Sequence, residues 1–201
     1  MMRTMARRAP RHTPAGDHWF LAGYAGLAGF FALEATVRQP GSSASLHASD
    51  DDEGTTRGIV TAFVVGATLP VLLRRLPGPR LARWTAPAGL AMEATGLGVR
   101  IWSMRTLGAA YSRTLRAGDA QRVVEAGPYR LVRHPGYLGT LVAWTGFGLT
   151  SGSLPVVAVV STVFGRAYGR RITAEERLLA RDLAGYQAYR CRTKRLLPFV
   201  R

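Results

Sequence analysis

Residues 138–168 read LGTLVAWTGFGLTSGSLPVVAVVSTVFGRAY: two apolar runs, Leu138 to Leu149 and Leu154 to Tyr168, split by Thr150-Ser151-Gly152-Ser153. Small polar residues around a glycine make a turn between the runs. The first run is short for a full crossing, which takes about 20 residues. The pair therefore predicts a tight helical hairpin that dips into a membrane and returns, with both ends on one side. That brings together what flanks it: Arg133-His134-Pro135-Gly136-Tyr137 before the hairpin and Arg171 to Glu176 after it.

Upstream, Trp19 to Val37 predicts a first span, interrupted only by Glu34, and Gln39 to Thr56 a Ser/Gly loop with the acidic cluster Asp50, Asp51, Asp52 and Glu53. Gly58 to Leu73 predicts a second span, closed by Arg74, Arg75 and the Pro77-Gly78-Pro79 breaker, where proline withholds backbone donors. Trp84 to Met104 is a third, weaker span. It carries Glu93 and Arg100, two helical turns apart and so on one face. An ionisable group at membrane depth costs about 2.5 to 3.5 kcal/mol on insertion scales, so these two should face protein or a wet cavity. Alternatively, Arg100 snorkels to the interface. Gly23, Gly26 and Gly29 recur every third residue, and small residues let helices approach closely in lipid. Arg105 to Arg133 is basic and loop-like, and Thr173 to Cys191 predicts an amphipathic, arginine-rich surface helix. The expected fold is all-α: an integral membrane bundle of about five transmembrane helices with a cytoplasmic C-terminal amphipathic helix. One domain covers residues 1–201, with three spans in 1–104 and the functional region in 105–201.

Composition agrees with a membrane chain. Of 201 residues 47% are hydrophobic and only 19% charged, yet the formal net charge is +15. Grease and charge must be segregated. A pI near 11.4 would suit nucleic acid, but the arginines flank apolar runs instead of alternating with aromatics, which is the headgroup pattern. No nucleic-acid partner is expected. The single cysteine, Cys191, excludes an intrachain disulfide and a multi-cysteine metal centre, and no metal site is expected. The basic start, with Arg3, Arg7, Arg8 and Arg11, reads as the flank of a retained first helix. The larger basic excess of the C-terminal half puts the site on the cytoplasmic side of what looks like a bacterial inner membrane, although the arginines of the front half count the other way.

His134-Pro135 stands before an apolar helix, and proline suits the first helical position. The amides of that first turn can hold a carboxylate or a phosphate. Gly136 permits close backbone approach, and Tyr129 and Tyr137 offer hydroxyls and flat aromatic faces. The plainer alternative makes His134 a helix cap and the tyrosines interfacial anchors. Thr173-Ala174-Glu175-Glu176 matches a capping box, which would occupy Glu176 with the cap amide. Glu175 is then left over, with Arg171 four residues before it as a possible partner.

The two motifs together resemble the isoprenylcysteine carboxyl methyltransferase family, within the membrane methyltransferases that include phospholipid N-methyltransferases. The matching residues are Val123-Val124-Glu125-Ala126-Gly127-Pro128-Tyr129, Arg133-His134-Pro135-Gly136-Tyr137, Arg171, Glu175-Glu176-x-x-Leu179, and Tyr186-x-x-Tyr189 leading to Leu197-Pro198. The resemblance implies S-adenosylmethionine as cofactor and S-adenosylhomocysteine as product, bound without a Rossmann fold; Gly96-Leu97-Gly98 is an isolated pair and no Gly-x-Gly-x-x-Gly follows a strand. By position it implies cofactor contacts from Gln121, Arg122, Val123, Val124, Tyr129, His134, Pro135, Gly136, Tyr137 and Glu175. It implies Arg171 as the substrate-binding residue, and Arg171 with Glu175 as the catalytic pair. The implied partners are membrane lipids and a lipophilic carboxylate such as a prenylcysteine. A phospholipid or small-molecule N-methyltransferase, and a non-catalytic protein that keeps the scaffold, are the alternatives. The chain departs from eukaryotic members in lacking extra N-terminal spans and a glutamine near Thr114.

Overall fold

The computed structural model describes residues 17–37, 54–108 and 123–197. The acidic cluster Asp50 to Glu53, the neighbourhood of Thr114, and the expected cofactor residues Gln121 and Arg122 lie outside them. The helices in chain order are α1 (Asp17–Val37), α2 (Thr55–Leu73), α3 (Thr85–Leu107), α4 (Pro135–Thr150), α5 (Leu154–Asp182) and α6 (Tyr186–Arg192), with a 3-10 turn at Gly127–Arg130. No strand forms among the described residues; Arg80 with Ser153 and Val132 with Lys194 make isolated bridges. The all-α expectation holds. By length and composition α2 is the one helix among the described residues apolar enough to cross a membrane. The others carry charges, like α3, or are short, like α4.

Two tight connections share one end of the bundle. The loop after α2 is pinned to the α4–α5 turn through Leu81 N–H to the Gly152 carbonyl at 3.0 Å and Leu154 N–H to the Pro79 carbonyl at 3.2 Å. Asp17, opening α1, pairs with Arg74 at that same end. The start of α2, the start of α4 and the last turns of α5 consequently gather at the opposite end, as the hairpin reading requires.

Backbone touches backbone between α3 and α4. A Cβ built on Gly139 would lie 2.6 Å from the Gly96 carbonyl oxygen, and one on Gly89 2.6 Å from the Gly146 carbonyl oxygen. Nothing larger than hydrogen fits at these crossings. The Gly23-Gly26-Gly29 pattern is used in part: Gly23 and Gly26 lie against the Glu93 carboxylate, whereas Gly29 faces open space. Glu93 and Arg100 are both buried, so the one-face reading holds. Arg100 does not snorkel; it donates to Thr140 Oγ1 at 3.1 Å. Around this pair of helices, Phe20, Trp144, Phe147, Val160, Phe164 and Tyr168 form the core, with Trp144 stacked on Phe164 at 4.3 Å between centroids.

The C-terminal expectation needs correction. Thr173 does not start a helix, because α5 runs unbroken from Leu154 to Asp182, about 43 Å at 1.5 Å per residue. Thr173 Oγ1 donates back to the Gly169 carbonyl at 3.0 Å, the mid-helix bond of a threonine and not a cap. A helix already nucleated upstream leaves no unpaired amides at Thr173 for a capping box to satisfy. The predicted surface helix Thr173 to Cys191 is thus the end of α5, a break at Gly185 with φ +82°, and the short α6.

Candidate active site

Glu176 is the hub at the open end of the bundle. Arg133 donates from Nε to Glu176 Oε1 at 2.9 Å, His134 Nε2 lies 3.2 Å from the same oxygen, and Arg195 Nε lies 3.4 Å from Oε2. Burial pushes the Glu176 carboxyl up, but the hydrogen bonds and charges of His134 and Arg133 outweigh it and hold the group at about 2. Two arginines and a histidine converge on one carboxylate. Arg133 also donates to the carbonyls of Arg190 and Thr193, and the backbone after α6 runs alongside: Arg133 N–H donates to the Lys194 carbonyl at 2.7 Å and His134 N–H to the Arg195 carbonyl at 3.2 Å. The Arg-His-Pro corner is thereby clamped between α5 and the segment after α6.

His134 precedes α4 but makes no side-chain cap bond, so the cap alternative fails. Its ring turns instead toward both glutamates and stacks on Tyr137, 5.7 Å between centroids and 10° between planes. Glu175 Oε2 lies 4.0 Å from His134 Nδ1, too far for a hydrogen bond. That oxygen is buried without a hydrogen-bond partner among the described residues. Tyr137 leans on Tyr168 at 5.0 Å, and its hydroxyl hydrogen-bonds to both Arg171 and Glu175. Arg171 and Glu175 therefore both meet the same phenol.

Arg171 is 2% exposed. Its guanidinium donates to Thr55 Oγ1 at 2.9 Å and to Thr56 Oγ1 at 3.3 Å, at the start of α2, which is entered through Gly54 at φ +72°. Glycine adopts that left-handed turn without a Cβ penalty. Arg100 reaches the first turn of α4 as well, its NH1 3.5 Å from the Gly136 carbonyl.

The structure thus brings together His134, Pro135, Gly136, Tyr137, Arg171 and Glu175. Tyr129 is tied to α6, its carbonyl accepting the Tyr189 hydroxyl at 2.7 Å. Val123 and Val124 are half-buried on the approach to the 3-10 turn, next to Glu125, which pairs with Arg192. Sequence reasoning missed Thr55 and Thr56 as partners of Arg171, and Arg133 and Arg195 as partners of Glu176. Arg133 stood inside the quoted motif, and Gly54-Thr55-Thr56 marks a turn with hydroxyls beyond it; no spacing links either to residues more than forty positions away. The unpartnered Glu175 oxygen and the adjacent aromatic faces suit a ligand that offers donors and a flat ring, as an S-adenosyl nucleoside does.

Helices with buried ionisable groups and a polar corner at one end are the features with which the chain meets known proteins. The fold is shared with the structure of the eukaryotic intramembrane Ras methyltransferase ICMT (isoprenylcysteine carboxyl methyltransferase): TM-score 0.66 at 19% identity, covering 94% of this chain and 70% of that one. Residues 90–181 match the isoprenylcysteine carboxyl methyltransferase (ICMT) family, so the segment from α3 to the end of α5 carries that family's pattern, as the motifs suggested. The cobalt-zinc-cadmium resistance protein CzcN of Cupriavidus metallidurans is 31% identical over 116 residues, 57% of this chain and 51% of that protein. The nickel-cobalt-cadmium resistance protein NccN of Alcaligenes xylosoxydans xylosoxydans is 28% identical over 57% of this chain and 52% of its own length. The chain spans about half the length of these two relatives. A probable protein-S-isoprenylcysteine O-methyltransferase of Oryza sativa subsp. indica is 28% identical over 167 residues, 79% of this chain and 87% of that protein.

Proposed function

We propose that this chain is an integral membrane methyltransferase that uses S-adenosylmethionine to methylate the carboxyl group of an isoprenylcysteine-like or other lipophilic carboxylate. It does so as one domain of about five transmembrane helices in a bacterial inner membrane, with the polar corner, the charged end of α5 included, on the cytoplasmic side. The observation that carries the proposal is the meeting of His134 and Tyr137 with Arg171 and Glu175 inside the family-matched segment. Large apolar side chains on the outside of the bundle, among them Leu21, Val64, Leu72 and Trp102, suit contact with lipid.

When bound, S-adenosylmethionine supplies an electrophilic methyl group, which a carboxylate can accept without a general base. The work left to the protein is alignment and exclusion of water, effects that can supply up to about 7 to 11 kcal/mol. Glu175 holds the cofactor's ammonium or neighbouring polar groups. His134 and the first-turn amides of α4 hold its carboxylate end, Tyr129 and Tyr137 form walls, and the Gln121 to Val124 segment lies alongside. Arg171 fixes the acceptor carboxylate, using the planar fork that lysine lacks. Thr55 and Thr56 keep that fork oriented. An amine acceptor would have to lose a proton beside an arginine, which disfavours the phospholipid reading.

Calorimetric titration of the detergent-purified chain with S-adenosylhomocysteine should show saturable binding, and labelled methyl should pass to a prenylcysteine analogue. Absence of binding overturns the proposal; binding with transfer only to amines moves the substrate to the phospholipid class. A second reading has the names of the two bacterial relatives in its favour: a membrane protein of metal resistance that keeps the scaffold without catalysis. Methyl transfer to any acceptor would remove it.

A further inference from the structure

Arg166, Arg170, Arg177 and Arg181 follow one another along α5 at steps of four, seven and four residues, which at 3.6 residues per turn places them within about 60° of arc. They form one stripe. All four are exposed, whereas Phe164, Tyr168 and Arg171 are buried on the other side of the helix. The carboxylates at this end of α5 are engaged elsewhere: Glu175 is turned to His134 and Tyr137, Glu176 is held by Arg133, His134 and Arg195, and Asp182 pairs with Arg181. Arg166 and Arg170 make no hydrogen bond or ion pair among the described residues. Neither does Arg57, exposed in the first turn of α2.

Height decides what these three meet. Thr55 opens the helix apolar enough to cross a membrane, and Arg171 is bonded to Thr55 and Thr56, so Arg171 marks the membrane border on α5. Arg57 and Arg170 adjoin the bonded residues and lie at that border. Arg166 comes five residues before Arg171 and so sits about 7.5 Å inside it at 1.5 Å per residue. A guanidinium on the lipid side at that depth is costly unless its stem carries it back to an anion. Headgroup phosphates are the anions at that height, and the guanidinium fork binds phosphate at two points. Arg166 and Arg170, one turn apart on one face, reach a common headgroup. Beside them Gly165 and Gly169 have nothing within 4 Å of a built Cβ, so among the described residues nothing covers this surface there. Arg177 and Arg181 stand about 10 and 16 Å beyond Arg170, past a headgroup layer roughly 5 to 8 Å deep. The stripe has a lipid-facing pair and a water-facing pair.

We propose that Arg166 and Arg170, with Arg57 at the same height on α2, bind the phosphate of an anionic phospholipid. Phosphatidylcholine carries its own cation on the headgroup, whereas phosphatidylglycerol leaves the phosphate charge to the arginines. The proposal rests on embedding in a membrane and is read without any methyl transfer, so it stands or falls apart from the methyltransferase reading. Native mass spectrometry of the detergent-purified full chain, with phosphatidylglycerol and phosphatidylcholine added in equal amounts, tests it. The parent should retain phosphatidylglycerol preferentially, and Arg166→Gln combined with Arg170→Gln should weaken that binding roughly tenfold while phosphatidylcholine binding is unchanged. Arg177→Gln combined with Arg181→Gln removes the same number of charges and should weaken it by less than about twofold, since these groups stand clear of the headgroups. Both variants should melt with the parent, because only exposed side chains are altered. A parent without lipid preference overturns the proposal. Equal losses from the two pairs overturn it as well, leaving an effect of bulk charge. Capture of a short DNA duplex in preference to phosphatidylglycerol vesicles would overturn it in favour of nucleic acid.

Discussion

Glu175 and Glu176 are neighbours in sequence with opposite fates: Glu176 is held by Arg133, His134 and Arg195, while Glu175 has a buried oxygen without a hydrogen-bond partner among the described residues. Glu176→Gln should therefore cost stability, about 1 to 3 kcal/mol for a buried hub left incomplete, while Glu175→Gln should weaken S-adenosylhomocysteine binding and leave the melting temperature nearly unchanged. Titration of both variants beside thermal unfolding separates the two roles. Glu176 also sets an acid limit. Its carboxyl is held at about 2 in the fold against 4.5 for an unperturbed group, so on acidification the unfolded chain takes up the proton first and unfolding is favoured. The stabilisation is fully present above about pH 4.5 and is lost as pH falls toward 2; the parent should lose melting temperature through that window and Glu176→Gln should be flatter. At Arg171, replacement by lysine keeps the charge but loses the fork. Turnover should fall roughly tenfold, about 1.4 kcal/mol of barrier, with cofactor affinity little changed; an unaltered rate would remove Arg171 from the chemistry. At this scale the motif residues were legible as a set, but their division of labour was not. The Thr-x-x-Glu pattern pointed Glu176 to a helix amide, whereas its partners are Arg133 and His134, more than forty residues earlier, and Arg195, brought in by the chain beyond α6.

Among the elements, α3 and α4 show how much of the packing could have been read. Gly89 and Gly96 are seven apart, as are Gly139 and Gly146, so both helices carry a small-residue seam two turns long. The triplet Gly23-Gly26-Gly29 is denser and caught the eye first, yet only its first two members meet a neighbour. Periodicity says where small residues recur, not which helix approaches them. Gly139→Ala should destabilise the bundle by about 1 to 3 kcal/mol, as overpacking does, because the new methyl meets backbone that cannot move aside. Gly29→Ala, with no neighbour within 4 Å, should be neutral or gain up to about 1 kcal/mol from helix propensity. Thermal unfolding in one detergent checks the pair. Between α2 and α5, Thr55 and Thr56 link the elements through Arg171. Thr55→Val combined with Thr56→Val should raise KM for the acceptor more than it lowers cofactor affinity, a split that a purely structural role would not produce.

Across the whole molecule, the order and approximate limits of the five long helices were legible from apolar runs and from breakers such as Pro77-Gly78-Pro79. Continuation of α5 past its apolar stretch was not, because charged residues beyond Tyr168 resemble a separate surface helix until a partner surface is supplied. The chain after α6 was also opaque, since the pairing of Lys194 and Arg195 with Arg133 and His134 is made by backbone, which leaves no trace in side-chain pattern. Removing residues from Lys194 onward should abolish nucleoside binding while the helical circular dichroism signal is largely retained. The glycine seam of α3 and α4 has a further consequence on the function proposed here. Two helices whose main chains touch cannot part by a side-chain rotation; separating them means tearing a continuous backbone contact. A hydrocarbon tail arriving sideways from the bilayer must therefore find its doorway elsewhere on the perimeter. At the α2–α5 border the contact is made by side chains, Phe63 edge-on to Phe164 with 5.3 Å between ring centroids, and side chains can yield where main chain cannot; the glycine seam is the fixed post.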